Sequence, residues 1–141
     1  MGILSELIIG NEGDGERILA APQPSETFES IDLGGLTTIE METLKLIIEG
    51  TSLDEFVGDF DDEVLDGGED GPWVLALPLD FVNDLATLEA NRVTNVATQW
   101  AATEELEGTT PAILREQIAA MVTHAKRAVE LKKRLFLWFS L

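Results

Sequence analysis

"GPWVLALP", residues 71 to 78, sets five consecutive apolar residues between two prolines. The run is too short for a helix and apolar on both faces, as a strand in the middle of a sheet would be. "RLFLWFSL", residues 134 to 141, is a second apolar run, also read as a strand. The two are expected to pair side by side in the core, at residues 72–78 and 134–141. The alternative for the second run is an edge strand offered to another chain, since an unpaired apolar edge associates readily and would give a homodimer.

Around these strands the chain is organised mainly by helices. "SELIIG" (5–10) could open either a strand or a helix, and the glycine-rich "GNEGDGE" after it reads as a flexible turn. "APQPSE" stops any helix begun at "ERILAA", because each proline lacks a donor and restrains its predecessor. "TFESIDL" places Ile31 and Leu33 on one face and Ser30 and Asp32 on the other, as a half-buried strand does. From Leu36, the residues Met41, Leu44, Ile47 and Ile48 recur at helical spacing, with Thr37 and Glu40 as a capping box and Gly50 as the stop. Thr51 or Ser52 is then placed to cap a short turn through Phe56.

After the first apolar run, Asp80 is expected as an N-cap for a helix burying Phe81, Val82, Leu85 and Leu88. Asn91 is expected to cap the next helix, whose stripe is Val93, Val96, Ala97, Trp100 and Ala101. Pro111 after Thr110 starts a long helix burying Leu114, Ile118, Met121, Val122, Ala125 and Val129. Lys126, Arg127, Lys132, Lys133 and Arg134 in its last turns would complement the negative end of the helix dipole. There is no internal repeat and no low-complexity tract. The expectation is a single α+β domain over residues 1–141, with several amphipathic helices packed on a small mixed sheet.

The order of "EDGPWVLALP", a helix, "LATLEANRV", a further helix, a long helix and a terminal apolar strand resembles the second half of the YfbM-like family of small bacterial proteins of unknown function. The opening "MG" and the "IDLGG" to "LKLIIEG" stretch are similar in layout to that family. The resemblance rests on element order and implies a fold of helix and sheet, with no activity attached.

Composition narrows the function classes. At 45% hydrophobic and 26% charged residues, the 141-residue chain is globular, able to bury roughly two-thirds of its unfolded surface in one core. It has no cysteine, which excludes disulfides, thiolate nucleophiles and zinc–thiolate clusters and suggests the cytoplasm. No basic leader precedes the acids of the N-terminus, and no stretch approaches the ~20 apolar residues of a membrane helix. Residues 1–109 carry 25 acids against 3 bases, a net of −22, whereas residues 110–141 carry 6 bases against 2 acids. Most of such a surface repels a phosphate backbone, so nucleic acid is not an expected partner, and a basic protein is.

The acids are densest in "DEFVGDFDDEVLDGGEDG", residues 54 to 71, which holds nine carboxylates in eighteen residues and no base. As a calcium loop it fails in both frames. Starting at Asp59, Val64 stands where the sharp turn needs glycine and Asp70 where a bidentate glutamate is needed. Starting at Asp66, Gly68 stands at the third position and Leu77 at the twelfth. Asp59, Asp61, Asp62 and Asp66 are the remaining loose candidates for a hard cation. The segment otherwise reads as a solvated loop with a hairpin-like turn at "DGGEDG". Asp54, Glu55, Asp59, Asp61, Asp62, Glu63, Asp66, Glu69 and Asp70 are its candidate contacts to a basic partner.

Catalytic constellations do not emerge. The glycine-rich 10–15 stretch lacks a lysine and sets Glu12 and Asp14 where a phosphate would sit. His124 is the sole histidine and is expected at the solvent edge of the long helix, while Asp80, Glu104 and Glu105 read as a cap and two exposed acids. Trp73, Trp100 and Trp138 fall on apolar faces and read as core. The expected protein is therefore a non-enzymatic cytoplasmic binding module without a cofactor, of the kind an immunity protein against a basic toxin would be. A carboxylate- or metal-dependent hydrolase and a self-associating structural protein are the alternatives.

Overall fold

Alternation of apolar residues builds the sheet and helical periodicity builds the layer on it. The computed structural model describes residues 2–141, less the side chains of Asp61 and Asp62. In chain order the elements are β1 (Leu4–Gly10), α1 (Gly15–Ala20), β2 (Glu29–Asp32), α2 (Thr38–Glu49), β3 (Leu65–Asp66), β4 (Trp73–Ala76), α3 (Leu79–Ala86), α4 (Ala90–Ala101), α5 (Pro111–Glu130) and β5 (Arg134–Ser140). Short 3₁₀ turns lie at Pro24–Glu26, Leu53–Glu55, Asp59–Glu63 and Glu104–Leu106. The α+β class is as expected, on one domain.

The strands form one sheet in the order β2-β1-β5-β4-β3, and all four pairings are antiparallel, so the sheet is not the mixed one expected. The two apolar runs do pair, Leu75 opposite Leu137 and Val74 opposite Trp138. β5 is the central strand, flanked by β1 along its whole length and by β4. The alternative of a C-terminal edge strand free for another chain is thereby overturned.

One face of the sheet carries Leu7, Ile9, Leu75, Leu77, Leu135 and Leu137, and α2 to α5 pack there in the main core. The other face carries Ile8, Val74, Phe136 and Trp138, covered by Ile18 and Leu19 of α1 with Phe28 and Leu65. Burial on both faces explains why β4 and β5 show no alternation of polarity.

Helix α2 begins with the expected capping box, in which Glu40 Oε1 accepts the Thr37 N–H at 3.4 Å. It ends at Gly50, whose φ of 75° is the left-handed conformation that glycine adopts without strain. Trp100 is fully buried and donates from Nε1 to the Glu40 carbonyl at 3.0 Å, locking α4 to α2. Thr110 caps α5 through Ile113 N–H, with Pro111 following as expected.

Three boundaries differ from expectation. α3 starts after Pro78, and Asp80 is its second residue, its carboxylate accepting the N–H of its neighbour Phe81 at 2.9 Å. α4 starts after Glu89, so Asn91 lies within it. Both helix starts are exposed, where water can satisfy the first amides and no side-chain cap is required. α5 ends at Glu130, leaving Lys132 and Lys133 in the turn and Arg134 on β5, so only Lys126 and Arg127 lie in its closing turns. Along α5 the buried stripe continues from Ala125 to Ala128, while Val129 is 44% exposed.

Candidate functional site

The site grows from one acid on the wrong side of a helix. Glu42 lies within the buried residues of α2, 5% exposed, with Met41 and Leu44 beside it in the core. A carboxylate taken out of water needs partners, and this one takes them from the acidic segment's own backbone. Glu42 Oε2 accepts the N–H groups of Val57 at 3.2 Å and Gly58 at 3.1 Å, and Oε1 accepts that of Phe60 at 3.1 Å. Gly58, at φ 74°, turns these amides toward a common centre, forming an anion-binding concavity that an internal carboxylate fills. Phe60 is thereby seated in the core, 4% exposed, with its ring centroid 6.1 Å from that of Phe81.

Pinned in this way, the segment walls a cavity of roughly 410 Å³ at the end of β4. Phe60, Leu46, Leu75, Ala76 and Pro78 line it with apolar surface; Glu55, Asp59, Glu63 and Asp80 contribute exposed carboxylates. Lys45 is the one base in the lining among the described residues, and its Nζ is held by both Glu49 oxygens at 2.9 Å. Burial works against the charge of Lys45. The bond to Glu49 and the charges of Glu49, Asp80 and Asp84 outweigh it and hold the ammonium above its ordinary range. Next to lining residues in the sequence, Phe56 and Val57 (between Glu55 and Asp59) and Leu79 (between Pro78 and Asp80) are exposed apolar side chains.

The expected partner contacts divide among several places. Glu55, Asp59 and Glu63 face the cavity. Asp54 is exposed in a 3₁₀ turn capped by Ser52. Asp66 accepts the Gly68 N–H at 2.9 Å within the expected hairpin turn, and Glu69 is exposed there. Asp70 is held by its carbonyl, which accepts from Leu141 N and Ser140 Oγ. The Asp61 and Asp62 side chains lie outside the described residues. Of the loose cation candidates, Asp59 and Asp66 stand in different pockets. No group of three or more metal-ligating side chains assembles among the described residues.

His124 corrects another expectation. It is 8% exposed rather than at the solvent edge, and because a carbonyl only accepts, its Nε2–H donates to the Leu7 oxygen at 2.9 Å. Burial lowers its pKa, against the opposing pull of the Leu7 bond and the Glu29 charge. It is a link between α5 and β1 and does not line the cavity. Glu104 and Glu105 are exposed, as expected.

Sequence reasoning found the acidic wall but missed Glu42, Lys45 and Asp80 as its complement. Glu42 did carry a signal: its neighbours at i−4 and i+4, Thr38 and Leu46, are both buried, so an acid stood on an inward part of the helix. Comparison with known protein families, curated proteins and solved structures finds no match for this chain. No helix of the described residues is long and apolar enough to cross a membrane.

Proposed function

We propose that this chain is a non-enzymatic, cytoplasmic binding module that engages a positively charged protein, as an immunity protein neutralising a basic toxin would. The observation that carries the reading is the Glu42 clamp. It fixes an otherwise solvated acidic segment so that carboxylates ring a cavity with an apolar floor. Apolar surface inside a rim of charge is the arrangement of an interface, where burial supplies affinity and charge supplies partner choice and encounter rate. The −22 of residues 1–109 would steer a basic partner toward it and repel nucleic acid. A fold shared with the YfbM-like proteins is proposed on element order alone.

The test is titration of the chain with polylysine and with candidate basic proteins at rising ionic strength. Affinity should fall steeply with salt. It should fall again in a variant carrying Glu55→Lys, Asp59→Lys and Glu63→Lys, while Glu104→Lys with Glu105→Lys, away from the cavity, leaves it nearly unchanged. Binding indifferent to salt and to the first set of changes would remove the reading.

A further inference from the structure

The ladder of β4 breaks off inside the cavity. Leu77 N donates to Leu135 O, so the odd-numbered residues Trp73, Leu75 and Leu77 direct their backbone groups toward β5. On the opposite side Gly67 N donates to Pro72 O and Leu65 pairs with Val74, so the even-numbered residues face β3. The next rung would set Ala76 against Glu63. β3 is only two residues long, however, and Glu63 belongs to the 3₁₀ turn that ends before it. Ala76 lines the cavity, and the described residues make no hydrogen bond to its outward N–H and C=O.

An unmatched strand position beside an apolar floor is a template for an added strand. We propose that the cavity receives an extended, lysine- or arginine-bearing segment of the partner protein, whose backbone completes the ladder at Ala76. This rests on the binding reading above and specifies how the partner is held. The cation follows from the walls: Glu55, Asp59, Glu63 and Asp80 are exposed around the rung, and the lining base Lys45 is already engaged by Glu49. The long apolar stem of a lysine or arginine suits Phe60, Leu75 and Pro78 while its head reaches the acids. A second copy of this chain is disfavoured as the occupant, because it would bring its own −22 half against these carboxylates.

The test uses the full chain and a blocked peptide, acetyl-Val-Lys-Val-Lys-Val-amide, beside a set of the same peptide N-methylated at one residue each. N-methylation removes a backbone donor and leaves charge intact. The parent should bind at low salt and shift the Ala76 amide resonance. Methylation at the residue that pairs should weaken it about fivefold to tenfold, the worth of roughly one hydrogen bond. Ala76→Pro, which removes only an outward N–H, should weaken the parent to a similar extent. If the methylated peptides bind as the parent does and Ala76 does not respond, strand addition is wrong while engagement by charge survives. If the parent fails to bind while basic proteins still bind in a salt-dependent way, strand addition is wrong again. If neither peptide nor basic protein binds, both readings fall.

Discussion

Glu42 and Phe60 are joined by a buried hydrogen bond of 3.1 Å across eighteen residues of chain, from a core helix to the middle of the acidic segment. With the bonds to Val57 and Gly58 it makes one carboxylate the anchor of a loop that bears many like charges. Hydrogen bonds to a charged, buried acceptor contribute about 1.5–3 kcal/mol each, though not additively. Glu42→Ala should therefore destabilise the fold by about 3 kcal/mol, and Glu42→Gln, which keeps shape but not charge, by about 1–2 kcal/mol. Denaturant midpoints give these differences. Amide exchange of residues 57–60 should accelerate in both variants beyond the change in global stability.

Thr37, Glu40 and Gly50 announced α2 because capping and left-handed stops are local chemistry. The pairing of residues 73–76 with 136–139 was legible because only a two-sided core explains such runs. Sheet order was not, since nothing local tells a strand which neighbours it will have, and β5 was equally readable as an edge. His124 and Glu42 were misjudged or missed for one reason: each is buried by a partner more than ten residues away, Leu7 in one case and residues 57–60 in the other. The acidic segment was visible as charge, but its ordered shape depends on that unseen anchor.

Glu6 and Trp138 are cross-strand neighbours on the sheet face covered by α1, and Glu6 also stands opposite Asp32. Glu6 Oε1 and Trp138 Nε1 are both buried without a hydrogen-bond partner among the described residues. Like charges directly opposite each other are unfavourable, and an unpaired buried oxygen adds to the cost. Glu6→Gln removes the repulsion and supplies an amide in place of one oxygen. It should stabilise the protein by about 0.5–1 kcal/mol, read as a higher denaturant midpoint with an unchanged slope.

Arg127 pairs with Glu29 through two bonds of 3.1 and 3.0 Å, tying α5 to the edge strand β2. The hydrogen bond from Arg127 lowers the Glu29 pKa, and its charge adds to this. Both side chains are about half exposed, so water and salt compete for them. Arg127→Ala should therefore cost little stability despite the bidentate geometry, and the small loss should shrink further at high salt. Trp100→Ala, by contrast, empties a fully buried site and should cost about 3–5 kcal/mol with no salt dependence. A double-mutant cycle on Arg127 and Glu29 measures the first, and thermal unfolding the second.

His124 gives the fold a pH dependence whose sign follows from its burial. Its folded-state pKa lies below the ordinary value of 6.5 because the imidazolium is poorly solvated between α5 and β1. As pH falls through 6.5 the unfolded chain takes up the proton first, so the unfolded state gains free energy of protonation that the native state does not. This contribution to stability is complete above 6.5, declines below it, and is lost once the pH has passed the depressed native pKa. Acidification also relieves repulsion among the many carboxylates, which acts in the opposite direction, so the wild type alone would mix two effects. His124→Gln does not titrate and can still offer an N–H toward Leu7. The stability of wild type minus that of His124→Gln, measured by denaturant unfolding from pH 7.5 to 5, should be flat at the upper end and fall steadily below 6.5. A difference that stays constant, or rises on acidification, would mean that the buried imidazole is not disfavoured as a cation.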